Sequence, residues 1–282
     1  MGDIKVFKTV VSLQSKLQSD FKKSKVGLVP TMGALHEGHM TLVQKSIEEN
    51  DCTVVSIFVN PTQFNNPSDL ESYPRNMDRD LELLREQGDI IVFAPSVLDV
   101  YPYNYQTVKL ELGHMGLVME GKFREGHFDG VVNVVHRLFE IVRPTHAYFG
   151  LKDFQQLAVV QFMTKKFELD VKIVGCEIYR EKSGLASSSR NQRLTELQLD
   201  EALVISQVLK QAKESASHYS IHEVIEEAKR TFAASSLELE YFQIVDPRSL
   251  MDLQEWKAGA HACVTAYCGN VRLLDNLQLN PA

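Results

Sequence analysis

The sequence predicts an α/β fold in which a parallel β-sheet carries helices on both faces, followed by a smaller α+β domain. Short runs of β-branched and apolar residues, such as TVVSIFV at 53–59 and DIIVF at 89–93, are typical of strands buried on both faces of a parallel sheet. Helical segments alternate with these runs as far as about residue 178. Beyond that point the chain changes to two helices followed by strands, so we expect a domain boundary there.

The elements of the first domain follow from the periodicity of their apolar residues. Residues 4–23 carry apolar positions at helical spacing and predict a surface helix. The stretch 95–128 is largely irregular, and GKFREGHF at its end is basic and is expected to be mobile. Other strands are predicted at 26–29, 107–112, 147–149 and 171–176. Other helices are predicted at about 38–50, 78–87 and 131–142, and a further helix begins at about residue 153.

The predicted second domain comprises residues 179–282. It begins with a polar, flexible segment, KSGLASSSRNQR. Two helices, at about 196–216 and 221–234, and strands at 239–245, 262–267 and 271–274 complete it. We expect it to form a lid over an active site in residues 1–178.

The composition is that of an ordinary globular protein, with 44% hydrophobic residues and a net charge of −7. An acidic chain argues against general nucleic-acid binding, which requires a basic face. No apolar run approaches 18 residues and the start has no signal-peptide core, so we expect a cytoplasmic protein. The four cysteines show neither CxxC pairing nor zinc spacing.

The stretch VGLVPTMGALHEGHMTLV, residues 26–43, combines an apolar strand, a turn and a helix that begins near Gly38. His36 and His39 lie where the turn becomes the helix. The first turn of a helix offers unpaired N–H groups and partial positive charge, and Gly33 and Gly38 let a ligand approach closely. The stretch therefore predicts a phosphate site, to which the imidazoles add donors that strengthen when protonated.

Two alternatives apply to the histidine pair. A histidine at a helix start is commonly structural, and two nearby histidines can bind zinc. The sequence HEGHM lacks the four-residue spacing of H-E-x-x-H. The preceding strand and the flanking glycines favour the phosphate site.

Two further segments carry candidate phosphate ligands. In FGLKDFQQL, residues 149–157, a strand and a glycine precede Lys152, a compact cation, and Asp153, which can cap a helix or bind a ribose hydroxyl. In SSSR, residues 187–190, hydroxyls and a guanidinium can bind phosphate. The alternatives are a helix cap with a solvated charge for the first segment and a serine-rich linker for the second.

Gln63 and Gln156 are neutral groups suited to a hydroxy acid or an amide, although either could be a surface glutamine. The carboxyl edge of the parallel sheet gives all these segments a shared location. The local positive charge that a triphosphate requires would then come from His36, His39, Lys152 and Arg190.

The motifs PTMGALHEGH, SIFVNPTQF, YPR, FAPS, HFxGV, FGxKDFQQL and the SSRN loop occur in this order between about residues 26 and 195. In these motifs the sequence resembles the pantothenate synthetase family, part of the HIGH-motif nucleotidyltransferase superfamily. The resemblance implies a Rossmann-like catalytic domain. It also implies a reaction in which ATP, (R)-pantoate and β-alanine give pantothenate, AMP and pyrophosphate through a pantoyl adenylate, with magnesium required.

The same resemblance implies roles for individual residues. His36 and His39 would contact the phosphates, with His39 in the position of a proton donor, while Lys152 would bind phosphate and Asp153 ribose. The backbone of Tyr179 would bind the adenine. Pantoate would be bound by Gln63, which would also lie beside β-alanine, and by Gln156. The catalytic residues would be His39, His36, Lys152 and Arg190, and the ATP-binding residues Met32, Gly33, Ala34, Leu35, His36, Glu37, Gly38, His39, Gly150, Leu151, Lys152, Asp153, Tyr179, Ser187, Ser188, Ser189 and Arg190.

Four positions, Leu151, Ser187, Glu177 and Asn133, depart from the residues usual in the family. Asp80 is a conceivable magnesium ligand, and the resemblance implies a homodimer. The alternatives are a nucleotidyltransferase that retains the nucleotide in its product, a class I tRNA synthetase fragment, and a nucleotide-binding regulator without catalysis. AMP release, or its absence, distinguishes a synthetase from a transferase.

Overall fold

The central sheet of the computed structural model, which describes residues 2–279, contains six strands. In chain order they are β1 (Ile4–Phe7), β2 (Val26–Thr31), β3 (Cys52–Ile57), β4 (Ile90–Phe93), β5 (His146–Gly150) and β6 (Lys172–Cys176). All neighbouring pairs are parallel, in the order β1-β4-β3-β2-β5-β6. The predicted parallel sheet is therefore confirmed.

Helices cover both faces of this sheet. The helices that precede β6 in the chain are α1 (Val10–Asp20), α2 (Glu37–Glu49), α3 (Pro67–Ser72), α4 (Met77–Arg85), α5 (Val97–Val100), α6 (Met119–Phe123), α7 (His127–Val142) and α8 (Phe154–Lys166). Residues of α2 and α4 form one buried cluster with Val29, Val55 and Val92. The adjacent residues Leu28 and Val54, which point to the opposite face because side chains alternate along a strand, are also buried. Helix α7 packs on β2 and α1 packs on α7.

The predicted helix over residues 4–23 is wrong at its start. Ile4–Phe7 is an edge strand that pairs in parallel with β4. Helix α1 begins only at Val10, after Thr9, whose side chain accepts a hydrogen bond from the Ser12 N–H (3.3 Å). Pairing with a strand far along the chain decides the conformation of these four residues. The spacing of apolar residues within the segment gives no information about such a distant partner.

The predicted strand at 107–112 is also wrong, because these residues have no regular secondary structure. The Asn133 side chain occupies the place of a partner strand. Its Oδ1 accepts from the Val108 N–H (2.8 Å) and its Nδ2 donates to the Val108 carbonyl (3.2 Å). A buried amide thus satisfies the backbone groups of an extended segment without a second strand.

A separate antiparallel sheet and its helices complete the chain, as predicted. They are α9 (Glu196–Glu201), α10 (Leu203–Ser215), α11 (Ile221–Ala233), β7 (Glu238–Val245), β8 (His261–Cys268) and β9 (Val271–Gln278), with strand order β7-β8-β9. The helix expected over 196–216 is two helices that meet at Ala202. Ile205, Phe232 and Val264 belong to the buried cluster that joins helices and sheet.

By their contacts, the residues form two compact units. The first comprises Met1–Leu112, Arg124–Leu151 and Val159–Glu177, and the second Gly113–Phe123, Lys152–Ala158 and Ile178–Ala282. The division at 178/179 placed Gly113–Phe123 and Lys152–Ala158 in the first domain. Their side chains contact the antiparallel sheet instead: Glu120, for example, forms a two-point ion pair with Arg272 of β9 (2.6 and 2.8 Å). No helix among residues 2–279 is long and apolar enough to cross a membrane.

Candidate active site

The strand order of the parallel sheet reverses between β2 and β5. From β2 the chain adds β3 and β4 on one side, whereas β5 and β6 lie on the other. Open α/β sheets bind ligands at the carboxyl ends of strands where the order reverses. Met32 follows β2 directly and Leu151 follows β5 directly, so two of the predicted ATP-binding segments begin at this point.

The turn after β2 has an unusual backbone that a buried carboxylate holds in place. Gly33 and Ala34 both have positive φ, 80° and 50°. Asp80 of α4 accepts hydrogen bonds from the N–H groups of Ala34 (3.0 Å) and Leu35 (2.7 Å). A Cβ added to Gly33 would lie 3.0 Å from Oδ2 of Asp80, tighter than ordinary contact. The strained turn therefore depends on a residue from a different, later helix.

Asp80 is almost completely buried, with 2% of its surface exposed. Burial raises the pKa of its carboxyl, while the two backbone N–H donors and Arg79 act in the opposite direction. Both carboxylate oxygens accept hydrogen bonds from the turn, so Asp80 supports the backbone of this turn. Among residues 2–279, no group of three or more His, Cys, Asp and Glu side chains could hold a metal ion.

His36 and His39 form a reciprocal cap at the start of α2. Nδ1 of His36 accepts from the Gly38 N–H (3.1 Å), and Nδ1 of His39 accepts from the His36 N–H (3.3 Å). The ring centroids are 4.0 Å apart. Because each Nδ1 accepts a hydrogen bond from the backbone, each neutral ring carries its proton on Nε2. In this neutral form each imidazole presents an Nε2–H donor.

Gln63, a predicted substrate-binding residue, contacts Met32 in the predicted ATP-binding segment. It ends a 3₁₀ turn, Pro61–Gln63, that follows β3. Its side chain is buried, with Nε2 2.9 Å from Sδ of Met32 and Oε1 accepting from Nδ2 of Asn60 (3.3 Å). The surface-glutamine alternative is therefore wrong for Gln63.

The start of α7 supports this turn through residues to which the sequence analysis gave no role. Nδ1 of His127 bonds to the Gln63 carbonyl (2.8 Å), and Nδ2 of Asn60 donates to the Gly130 carbonyl (3.2 Å). A Cβ on Gly130 would lie only 2.4 Å from the Thr62 carbonyl oxygen. The HFxGV motif contained His127 and Gly130, but only the tertiary contact explains why those residue types are needed.

In the second unit, Lys152 and Asp153 form a single 3₁₀ turn with Leu151 before α8. Nζ of Lys152 lies 3.6 Å from Oδ1 of Asp153, and the lysine side chain is 17% exposed. The Lys152 carbonyl accepts a hydrogen bond from Nδ2 of Asn276 on β9 (2.8 Å). The side chain of Lys152 is therefore largely buried, unlike the solvated charge of the alternative interpretation.

The segment 179–193 contains a short hairpin followed by a 3₁₀ turn. Arg180 and Ala186 form an antiparallel bridge, and the Ser187 N–H donates to the Tyr179 carbonyl (3.0 Å). Ser188 caps the turn Ser189–Arg193, with its side chain accepting from the Arg190 N–H (3.3 Å). These hydrogen bonds give the predicted phosphate loop, residues 187–190, a defined conformation.

The adjacent glutamines of α8 differ in their surroundings. Gln155 is buried; its Oε1 accepts from the Glu120 N–H (2.9 Å) and its Nε2 donates to the carbonyls of Met115 (2.7 Å) and Val118 (2.9 Å). It therefore fastens the segment 113–123 within the second unit. Gln156, the predicted pantoate ligand, is half-buried.

The predicted site residues are thus divided between the two units. The first unit holds Met32, Gly33, Ala34, Leu35, His36, Glu37, Gly38, His39, Gln63, Gly150 and Leu151, and the second holds Lys152, Asp153, Gln156, Tyr179, Ser187, Ser188, Ser189 and Arg190. Within the first unit they lie on segments that follow β2, β3 and β5.

A helix that opens on paired donors at the reversal point of a parallel sheet is typical of α/β enzymes that bind nucleotides. Residues 5–278 match the family model of pantoate-beta-alanine ligase. The chain therefore belongs to the pantoate–β-alanine ligase family.

Several relatives match along nearly their whole length. The pantothenate synthetases of Bacteroides fragilis strain ATCC 25285 and of Phocaeicola vulgatus are each 47% identical to this chain, with 98% of this chain and 99% of the relative covered. The crystal structure of pantothenate synthetase from Thermus thermophilus has a TM-score of 0.93 at 40% identity, covering 98% of this chain and 100% of that one. That of the Francisella tularensis ligase, complexed with beta-gamma ATP and β-alanine, has a TM-score of 0.83 at 35% identity, covering 98% of each chain.

The resemblance noted in the sequence motifs is confirmed by these matches. The protein is an AMP-forming ligase that uses ATP to condense pantoate with β-alanine, through an acyl-adenylate intermediate.

Proposed function

We propose that the reaction takes place on the turn after β2, with His36, His39, Lys152 and Arg190 binding the phosphates of one ATP molecule. The observation that carries this assignment is the reciprocal histidine cap at the sheet's reversal point. It directs two fixed Nε2–H donors from the start of a helix whose partial positive charge favours an anion. Lys152 follows the second strand of the same reversal point.

The first step is attack of the pantoate carboxylate on the α-phosphorus of ATP. The carboxylate oxygen forms a bond to phosphorus, the bond to the bridging oxygen breaks, and pyrophosphate leaves. Its obstacle is the approach of one anion to another, so donors held in place before the reaction lower the barrier most effectively. Gln63, in contact with Met32, would hold pantoate beside the nucleotide, together with Gln156.

In the second step the neutral amine of β-alanine attacks the carbonyl carbon of the mixed anhydride, the bond from that carbon to the phosphate oxygen breaks, AMP leaves, and the nitrogen loses a proton to solvent. Water would hydrolyse this anhydride, so the site must exclude it. We assign the exclusion of water to two parts of the chain. The second domain, residues 179–282, would act as a lid, and the segments 121–128 and 183–190 would close when substrates bind. The remaining ATP residues would surround the nucleotide, with Asp153 on the ribose and the Tyr179 backbone on the adenine.

Magnesium would bind to the enzyme as a complex with ATP. Mg²⁺ is commonly bound by substrate phosphates together with one or two carboxylates and water. The described residues offer no carboxylate cluster of their own, and Asp80 is engaged by the turn. We therefore propose Mg-ATP as the substrate. We also propose, from the family resemblance, that the working form is a homodimer. From the sequence we propose that it works in the cytoplasm and has no nucleic-acid partner.

The test is a coupled pyrophosphate assay in which pantoate and β-alanine are omitted in turn. With ATP and pantoate alone, a single turnover should release about one equivalent of pyrophosphate, and β-alanine should convert this burst into continuous turnover with AMP. Limited proteolysis of the same mixtures should show protection at 121–128 or 183–190. Pyrophosphate release that requires β-alanine would contradict the order of steps, and unchanged cleavage at both segments would contradict the closure.

A further inference from the structure

A buried asparagine on β9 connects the Lys152 turn to the antiparallel sheet. Asn276 has 3% of its surface exposed, and its Nδ2 donates to the Lys152 carbonyl at 2.8 Å. The two residues are separated by 124 positions in the chain. The contact lies entirely within the second unit.

A buried histidine orients this asparagine. Nε2 of His261, on β8, lies 2.8 Å from Oδ1 of Asn276. Because an amide oxygen only accepts hydrogen bonds, the histidine donates from Nε2, and the opposite end of the amide is then directed as a donor toward Lys152. Burial lowers the pKa of His261, with the hydrogen bond to Asn276 acting against it. The chain of donors therefore runs in one direction, from His261 through Asn276 to the backbone of Lys152.

The same histidine contacts the other end of the turn. Its ring stacks on Phe154 with centroids 4.0 Å apart and planes inclined by only 5°. Phe154 begins α8, two residues after Lys152. The turn is thus held by a hydrogen bond at Lys152 and by a stacked ring at Phe154.

A lysine ammonium acts on a phosphate only if its backbone holds it at the right distance, because the long side chain has many other rotamers. The turn is only three residues long, so local hydrogen bonds alone cannot hold it firmly. The side chains that hold it come from two strands of a different sheet.

We propose that Asn276 and His261 are positioning residues that place Lys152 for its action on the phosphates of ATP. The proposal rests on the role assigned to Lys152 under the proposed function. Neither residue need touch a substrate, since their effect is transmitted through the Lys152 backbone. Their contribution should consequently disappear when the lysine side chain is removed.

A double-mutant cycle tests this. Asn276→Ala, Lys152→Ala and the double variant are compared by the single-turnover rate of pyrophosphate formation from ATP and pantoate. We expect Asn276→Ala to lower this rate about tenfold in the wild-type background and less than twofold in the Lys152→Ala background. Equal fold-changes in both backgrounds would overturn the proposal, because a general structural role does not depend on the lysine.

The matched control is Asn133→Ala, the same substitution at another buried asparagine whose amide bonds to backbone groups, those of Val108. Any fold-change that it causes should be the same with and without the lysine side chain. This control separates loss of a buried amide in general from loss of the contact to Lys152.

If Asn276→Ala does not fold, His261→Phe replaces it in the cycle. This change retains a ring to stack on Phe154 but removes the donor to Asn276, and we expect about a threefold loss that again depends on Lys152. Independence from the lysine would overturn the proposal here too. Wild-type activity in Lys152→Ala would instead remove the site assignment under the proposed function, and with it the need to position that residue.

Discussion

The two turns that we assign to ATP are held by contacts of very different range. At the start of α2 the capping atoms belong to His36, Gly38 and His39, within one helical turn, and Asp80 of α4 supports the preceding turn from 45 or more positions away. The Lys152 turn has its support in Asn276 and His261, more than a hundred positions along the chain. A local cap forms with the helix itself, whereas the distant support exists only when the second unit has folded.

The largest expected effect tests whether both turns act on the same phosphates. We expect His39→Ala and Lys152→Ala each to lower turnover by about a hundredfold or more, since removing one preorganised donor typically costs about 3 kcal/mol of transition-state stabilisation. Steady-state pyrophosphate release with all substrates measures it. Lys165→Ala, an exposed lysine on α8, serves as the control and should leave the rate unchanged. Near-normal rates in both variants would remove the site assignment.

A smaller effect should distinguish the support of the first turn from its chemistry. Asp80→Asn replaces one of two acceptor oxygens by an NH₂ group that faces a backbone N–H. We expect a loss of about 2 kcal/mol in the free energy of unfolding, the usual cost of an unsatisfied buried group. Urea denaturation measures this loss. Asp78→Asn, an exposed position on the same helix, should change stability by less than about 0.5 kcal/mol. Equal stability of the two variants would show that the turn does not need its buried carboxylate.

The smallest effect is a pH dependence confined to the second turn. The pKa of His261 is lowered from 6.5 in the folded protein, mainly by burial. As the pH falls below about 6.5, the unfolded chain takes up a proton that the folded protein does not, so the free energy of unfolding decreases. His261→Phe removes this contribution. Between pH 7.5 and 5.5 the wild type should lose up to about 1 kcal/mol more stability than the variant. Parallel stability curves would contradict the lowered pKa.

The architecture could be predicted from the sequence where local patterns are strong. The buried runs that form β3 and β4 have the β-branched composition of central parallel strands, and helical segments alternate with the strands, as the sequence analysis predicted. Predictions failed where a nonlocal partner decided the outcome. Residues 4–7 form a strand by pairing with β4, and in the segment 107–112 the backbone of Val108 bonds to the Asn133 amide in place of a partner strand.

What the sequence determined by itself is the order of strand, glycine turn and histidine pair before α2, since these depend on backbone propensity and on a cap within a few residues. The tertiary structure alone decided that Asp80 supports the turn and that Gln63 contacts Met32. It also decided that Gln155, the neighbour of Gln156, bonds to the backbone of the segment 113–123, and that Asn276 binds the Lys152 backbone. The physical reason is that a buried polar group must find its hydrogen-bond partner in space, and the distance along the chain does not reveal which partner that is.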